Sequence, residues 1–189
     1  MNLPAERKFV EPTYQDLLAA QRPVVELEGV RVDVISGPVA GITGIAINQW
    51  PITAAMLTFE PDRRYDHVIP AHDRAFVYVL RGEATVAMRR VTAGHVAWSE
   101  PLAAPLDADA VSTLSIATGR GDAYTVAMVY SGRPIGQPVA MGGPFVMNTR
   151  TEIDQAFRDF RAGMFGAVPH AARLQDRSGQ PTERPAGPE

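Results

Sequence analysis

The chain contains no cysteine. Disulfides, thiolate-held zinc, iron–sulfur clusters and thiol nucleophiles are therefore excluded. Histidine is scarce too, with four in 189 residues. An all-histidine metal centre would have to use most of them. Neither charge sign dominates: 18 Lys and Arg stand against 21 Asp and Glu, a formal net of −3. The basic stripe that marks a DNA- or RNA-binding domain is missing. No stretch approaches the roughly 18 consecutive apolar residues of a membrane span. The segment from Met1 to Pro12 has no apolar signal-peptide core. These absences lead to the expectation of a cytoplasmic chain with no direct partner in nucleic acid or membrane.

What the chain does have is 46% hydrophobic residues, with Gly 16 and Pro 16. A chain this long buries roughly 70% of its unfolded surface and needs no covalent staple. Met1 to Arg22 reads as a linker-like segment, with a short helical turn expected at Glu11–Leu18. From Pro23 to about Ser131 the pattern is β. Val30-Arg31-Val32-Asp33-Val34-Ile35 alternates as a half-buried strand does. Further runs follow at Ile42–Ile47, Ile52–Phe59, Ala75–Leu80, Ala84–Met88, Val96–Ser99, Val111–Ile116 and Tyr124–Tyr130. Glu60-Pro61-Asp62, Arg81-Gly82-Glu83 and Ala93-Gly94 separate them as turns. Many short strands at this rhythm predict a sandwich or barrel, and the lack of alternating helices excludes a parallel α/β sheet.

After Pro138 the character changes. Thr149-Arg150-Thr151-Glu152 fits a capping box. Ile153, Ala156, Phe157 and Phe160 then form one apolar stripe, and Gly163 stands where a terminating glycine belongs. The expected partner of that stripe is the chain's own barrel. The tail 167–189 has four prolines and few large apolar residues, a composition of disorder.

Gly143-Pro144-Phe145-Val146-Met147-Asn148-Thr149-Arg150, with Phe157-Arg158-Asp159-Phe160, closely resembles the C-terminal signature of the pirin family. Ala75 to Glu83 resembles a strand of the second pirin barrel, and Val30 to Gly37 the strand that opens it. Asn2-Leu3-Pro4-Ala5 and Glu11 to Gln15 resemble the linker between the two barrels. The resemblance covers residues 2 to about 166 and implies the C-terminal half of a bicupin. It implies a mainly β fold, a single cupin-like double-stranded β-barrel (jelly roll) over 23–166 with a C-terminal α-helix. In the family, the N-terminal half carries the HPHxGFE-type motif that holds iron; no HPH or HxH occurs here.

The general cupin pattern, G-x5-HxH-x3,4-E-x6-G and then G-x5-PxG-x2-H, turns alternate side chains into the barrel as metal ligands. Anchored on Gly82, its Glu position falls on Ala75. Its two His positions fall on Val68 and Pro70, or on Ile69 and Ala71 with the shorter spacer. Anchored on Gly94, its last His falls on Ala97. All these side chains are apolar and offer no lone pair. The sequence therefore assigns no catalytic, cofactor-binding or metal residues and expects no cofactor. A relocated site from His67 or His72, His95 and Glu100 remains open, and His170 reads as a solvated tail residue. Asp62 to Asp66 reads as a solvated turn, and Asp107 with Asp109 as turn chemistry. Val34, Ala54, Met56, Val77, Val79, Val96, Val126 and Met128 are the expected core. The expected function is a non-catalytic interaction or structural module that pairs with itself as a homodimer or with a separate N-terminal pirin-type barrel. The alternative that the resemblance implies is a metal-dependent (Fe) dioxygenase of quercetin type. It would act alone through the off-register histidines, or with a first barrel supplied in trans.

Overall fold

A computed structural model describes residues 2–100, 107, 109–121 and 124–166. His170 and the expected tail 167–189 lie outside the described residues. The chain divides into two compact units after Gly136.

The strands of the first unit are β1 (Val24–Leu27), β2 (Val30–Ser36), β3 (Pro38–Val39), β4 (Ile42–Thr43), β5 (Ile52–Phe59), β6 (Arg64–Pro70), β7 (Arg74–Arg81), β8 (Glu83–Val86), β9 (Arg89–Thr92), β10 (Val96–Trp98), β11 (Val111–Ala117) and β12 (Thr125–Gly132). They form a six-stranded sheet, β1-β2-β5-β12-β7-β10, and a four-stranded sheet, β6-β11-β8-β9, with β3 and β4 as a small separate pair. Every strand pairing is antiparallel. This is the expected jelly roll.

Period-two alternation decides which side chains meet between the sheets. Val30, Val32 and Val34 on β2, Leu57 and Phe59 on β5, Val77 and Val79 on β7 and Val129 on β12 are buried in one cluster with Tyr65, Val86, Val91 and Ile116 from the smaller sheet. Each fully buried Leu or Phe contributes roughly 1.5–3 kcal/mol. Of the expected core, Val34, Ala54, Val77 and Val79 are buried. Met56, Val126 and Met128 are only half-buried, and Val96 is exposed. On β5 and β12 the inward parity belongs instead to Ala55, Leu57 and Phe59, and to Ala127 and Val129. The expectation failed there because the larger sheet is apolar on both faces, so hydrophobicity alone cannot tell in from out.

Two other expectations are corrected. Glu11–Leu18 forms no helix; short 3₁₀ turns occur at Ala5–Arg7 and Ala19–Gln21. Pro12 disfavours helical geometry at the residue before it. The Gln15 side chain instead donates to the Ile47 carbonyl at 2.5 Å and accepts from the Ile47 N–H at 2.8 Å, holding this segment on the loop. Asp62 to Asp66 is also more than a solvated turn. Arg64, Tyr65 and Asp66 begin β6, with Tyr65 buried and its charged neighbours outward. Arg64 pairs with Asp66 at 2.9 Å on the outer side. Gly82, at φ +75°, marks the expected turn after β7; a Cβ there would stand 2.6 Å from Thr125 Oγ1.

The second unit holds β13 (Ala140–Gly142) and β14 (Phe145–Met147), a hairpin, and α1 (Arg150–Arg161). The capping box is present: the Glu152 N–H donates to Thr149 Oγ1 at 3.3 Å, and the Thr149 N–H donates to the Glu152 carboxylate at 2.7 Å. At the other end the Gly163 N–H donates to the Phe160 carbonyl and the Met164 N–H to the Asp159 carbonyl, a Schellman closure. Ile153 and Ala156 are buried, and Phe157 meets Phe145 edge-on at 5.1 Å. Gly142 permits this approach, because a Cβ there would stand 2.5 Å from the Ile153 side chain. Within this unit the hairpin is the cover of the helical stripe. Among the described residues no helix is long and apolar enough to cross a membrane.

The β8–β9 connection has two residues, Ala87 and Met88, both at positive φ (45° and 67°). A two-residue hairpin turn of this kind favours Asn-Gly, and an ordinary side chain there costs roughly 1–2 kcal/mol per residue. Asn relieves that strain only in part and Gly gives up more chain entropy on folding, so the double variant A87N/M88G should raise unfolding stability by about 1–2 kcal/mol in urea denaturation. An unchanged or lower midpoint would contradict the strained turn.

Candidate functional site

Two open cavities flank the core of the first unit. The first, about 1320 Å³, is lined by Trp50, Tyr65, His67, Asp73 and Arg133, among others. The second, about 880 Å³, is lined by Ile69, Ala71, Ala75, Val86, Val91 and Ala97, with Arg89, Arg90, His95 and Glu100 also reaching it.

The second cavity is where the cupin register leads. On β6 the buried positions are Tyr65, His67 and Ile69, while Val68 and Pro70 face outward. Ala71 continues the buried series. The structure thus selects the shorter spacer, Ile69 and Ala71. Ala97 pairs with Val77 across β10 and β7, and Ala75 starts the inward row of β7. Ile69, Ala71, Ala75 and Ala97 all line this one cavity. The four counted positions therefore share one cavity, and they present methyl and methylene groups to it. That donor set does not fit a metal ion.

The candidate residues of a relocated site are not brought together. His67 is fully buried on β6 beside the first cavity. Its Nε2 lies 3.5 Å from Ser131 Oγ, and its ring stacks on Tyr65 with centroids 6.1 Å apart. His72 lies past the end of β6, its Nε2 3.1 Å from the Asp107 carbonyl. His95 stands in the turn before β10, its Nδ1 3.1 Å from Thr92 Oγ1. His95 and Glu100 share the second cavity, not the first. Among the described residues no group of three or more His, Cys, Asp or Glu side chains stands close enough to hold a metal ion. Trp50 lines the first cavity and donates its indole N–H to the Arg133 carbonyl at 2.8 Å. Trp98 is tilted against Phe76 with ring centroids 4.6 Å apart, outside the core, and borders the second cavity.

Two features escaped sequence reasoning. The Ser131–His67 contact joins residues 64 positions apart and has no local signal. Arg89 stands directly opposite Val86, on the inward parity shared by Val91. Sequence reading places Ala84–Met88 in one strand, so the tight turn and the register after it were hidden. Alternation carried past Met88 without a turn gives the wrong face.

Burial holds the His67 imidazole down at about 4. It likewise pushes the Tyr65 hydroxyl above its ordinary value. The Ser131 contact is too long to offset the loss of water around a charged ring. An unfolded histidine titrates near 6.5, so the unfolded chain binds the extra proton first. The contribution of neutral His67 to stability is complete above pH 6.5 and is lost as pH falls toward 4. It amounts to about 3 kcal/mol between pH 7 and pH 4. Urea midpoints measured across that range should fall more steeply for the natural chain than for His67→Gln. Parallel slopes would contradict a buried neutral imidazole.

Comparisons with known proteins converge on one family. A family model described as the pirin C-terminal cupin domain matches residues 54–166. Pirin-1 of Arabidopsis thaliana is 32% identical over 165 residues, covering 85% of this chain and 54% of that protein. Pirin of Homo sapiens is 31% identical over 174 residues, covering 85% and 53%. The chain spans about half the length of the curated relatives it matches. The crystal structure of quercetin 2,3-dioxygenase from Acinetobacter baumannii superposes with a TM-score of 0.75 at 29% identity, covering 88% of this chain and 55% of that one.

Proposed function

Since the chain belongs to the pirin family through its C-terminal cupin domain, we propose that it is a non-catalytic pairing module, docking through its larger sheet onto a second barrel. One observation carries this reading: the outer face of the six-stranded sheet presents two rows of large apolar and aromatic side chains over β10, β7, β12 and β5. Val96, Tyr78, Met128 and Met56 are cross-strand neighbours in one row. Trp98, Phe76 and Tyr130 form the next, with Phe76 at 4.6 Å from Trp98 and 4.7 Å from Tyr130. Trp98 is 70% exposed. A sheet apolar on both faces is stable when both are covered, and the smaller sheet covers only one. The other aromatics of these rows are half-buried, and apolar side chains left partly open to solvent in adjoining rows mark interfaces. The second barrel is either another copy of this chain or a pirin-type N-terminal barrel. The relatives, about twice as long as the matched region, favour the latter.

A second reading is favoured by the structural neighbour named as a quercetin 2,3-dioxygenase. In it, this domain supports metal-dependent oxygenase chemistry whose metal is held by a partner barrel. The apolar set Ile69, Ala71, Ala75 and Ala97 leaves no step of that chemistry to this cavity.

Size-exclusion chromatography with light scattering tests the pairing. The chain should run as a dimer, or form a stoichiometric complex when a pirin-type N-terminal barrel is added. Trp98→Arg, at an exposed position, should weaken either association at least about tenfold while leaving the melting temperature unchanged. A monomer under both conditions would contradict the proposal. Quercetin consumption appearing only in the mixture would favour the second reading.

A further inference from the structure

The floor of the 880 Å³ cavity is built from small side chains. Ala71 and Ala75 are buried and Ala97 is half-buried, and all three stand where bulkier groups would fill the space. Ile69, Val86 and Val91 complete an apolar wall. This volume lies within the range of small-molecule sites, which join apolar walls to a few placed polar groups.

One polar group is placed here by the strand register. Arg89 begins β9 on the inward parity, opposite Val86 and two residues before buried Val91. Among the described residues it is the one charged side chain at an inward strand position around this cavity. It also makes no ion pair or hydrogen bond among the described residues. The neighbouring charges differ. Arg90 has the opposite parity and pairs with Glu83 at 2.5 Å. Asp73 pairs with Arg133 at 3.1 Å. Glu100 lies past the end of β10 and is exposed. The strained Ala87-Met88 turn immediately precedes Arg89 and sets its direction.

A guanidinium stays charged at any physiological pH, and its planar fork matches a carboxylate in two parallel hydrogen bonds. We propose that this cavity binds a small apolar carboxylate, its body on Ala71, Ala75 and Ala97 and its carboxylate on Arg89. The inference goes beyond pairing through its anchor: Arg89 stands on β9 of the smaller sheet, whereas the pairing rows belong to the larger one, and only their edge residues Val96 and Trp98 also border this cavity. An inward arginine on an edge strand also hinders addition of a further strand, but that role predicts no ligand preference.

Titration calorimetry on the full chain with 2-naphthoate and its neutral analogue 2-naphthamide separates the two. Naphthoate should bind saturably at one site and about tenfold more tightly than the amide, the scale of one charge-assisted hydrogen bond. Arg89→Gln should abolish that preference without moving the melting temperature. Ala97→Leu, which fills the floor, should weaken both ligands about tenfold. Thermal melts check that this variant folds; if it does not, the exposed Arg89→Gln comparison decides alone. Naphthoate that fails to saturate at millimolar concentration would overturn the proposal. So would a preference that survives Arg89→Gln, or a folded Ala97→Leu that binds both ligands as before.

Discussion

The apolar seam between the two sheets is the interaction on which the rest of the molecule depends. Val32, Val34, Leu57, Phe59, Val77, Val79 and Val129 are fully buried there against Ile116 of the smaller sheet. A slip of one residue in any of these strands would turn its buried set to the outside. The seam therefore fixes the register of every strand it includes. Register in turn decides which side chains reach the cavities beside the core. Tyr65, His67, Ile69 and Ala71 face inward because β6 is locked to β11 over its whole length.

The same register places Ile69, Ala71, Ala75 and Ala97 around one cavity. In a metal-bearing cupin these positions would carry donor atoms; here three of them are alanines. Methyl groups have no lone pair to offer a metal ion. Small side chains open space, and Arg89, among the described residues the one arginine of inward parity at the rim, gives that space a polar end. On the opposite side of the larger sheet, the Trp98–Phe76–Tyr130 row offers a flat aromatic surface. The proposed ligand and the proposed partner would thus each use side chains of this one sheet.

Much of this was legible in the residues. Strand β5 stands where its apolar run and the following Glu60-Pro61-Asp62 turn place it, and the helix begins and ends on the Thr149–Glu152 box and Gly163. The positions counted from Gly82 and Gly94 with the shorter spacer all line one cavity. Other parts were hidden for physical reasons. Met56, Val126 and Met128 read as core because the larger sheet is apolar on both faces, and periodicity alone cannot orient such a strand. Strand β6 was masked by Arg64 and Asp66, whose charges occupy its outer face. The β8–β9 turn lacks the Asn-Gly that usually announces it, so the inward aim of Arg89 appeared only in three dimensions. The His67–Ser131 contact joins distant strands and leaves no local trace.

We propose that this barrel keeps the frame of a cupin centre without its donor atoms at Ile69, Ala71, Ala75 and Ala97. Restoring them tests it directly. The quadruple variant Ile69→His, Ala71→His, Ala75→Glu and Ala97→His should bind close to one equivalent of Fe, Mn or Ni per chain, measured by elemental analysis after loading and desalting. A folded variant that retains no more metal than the natural chain would contradict the claim.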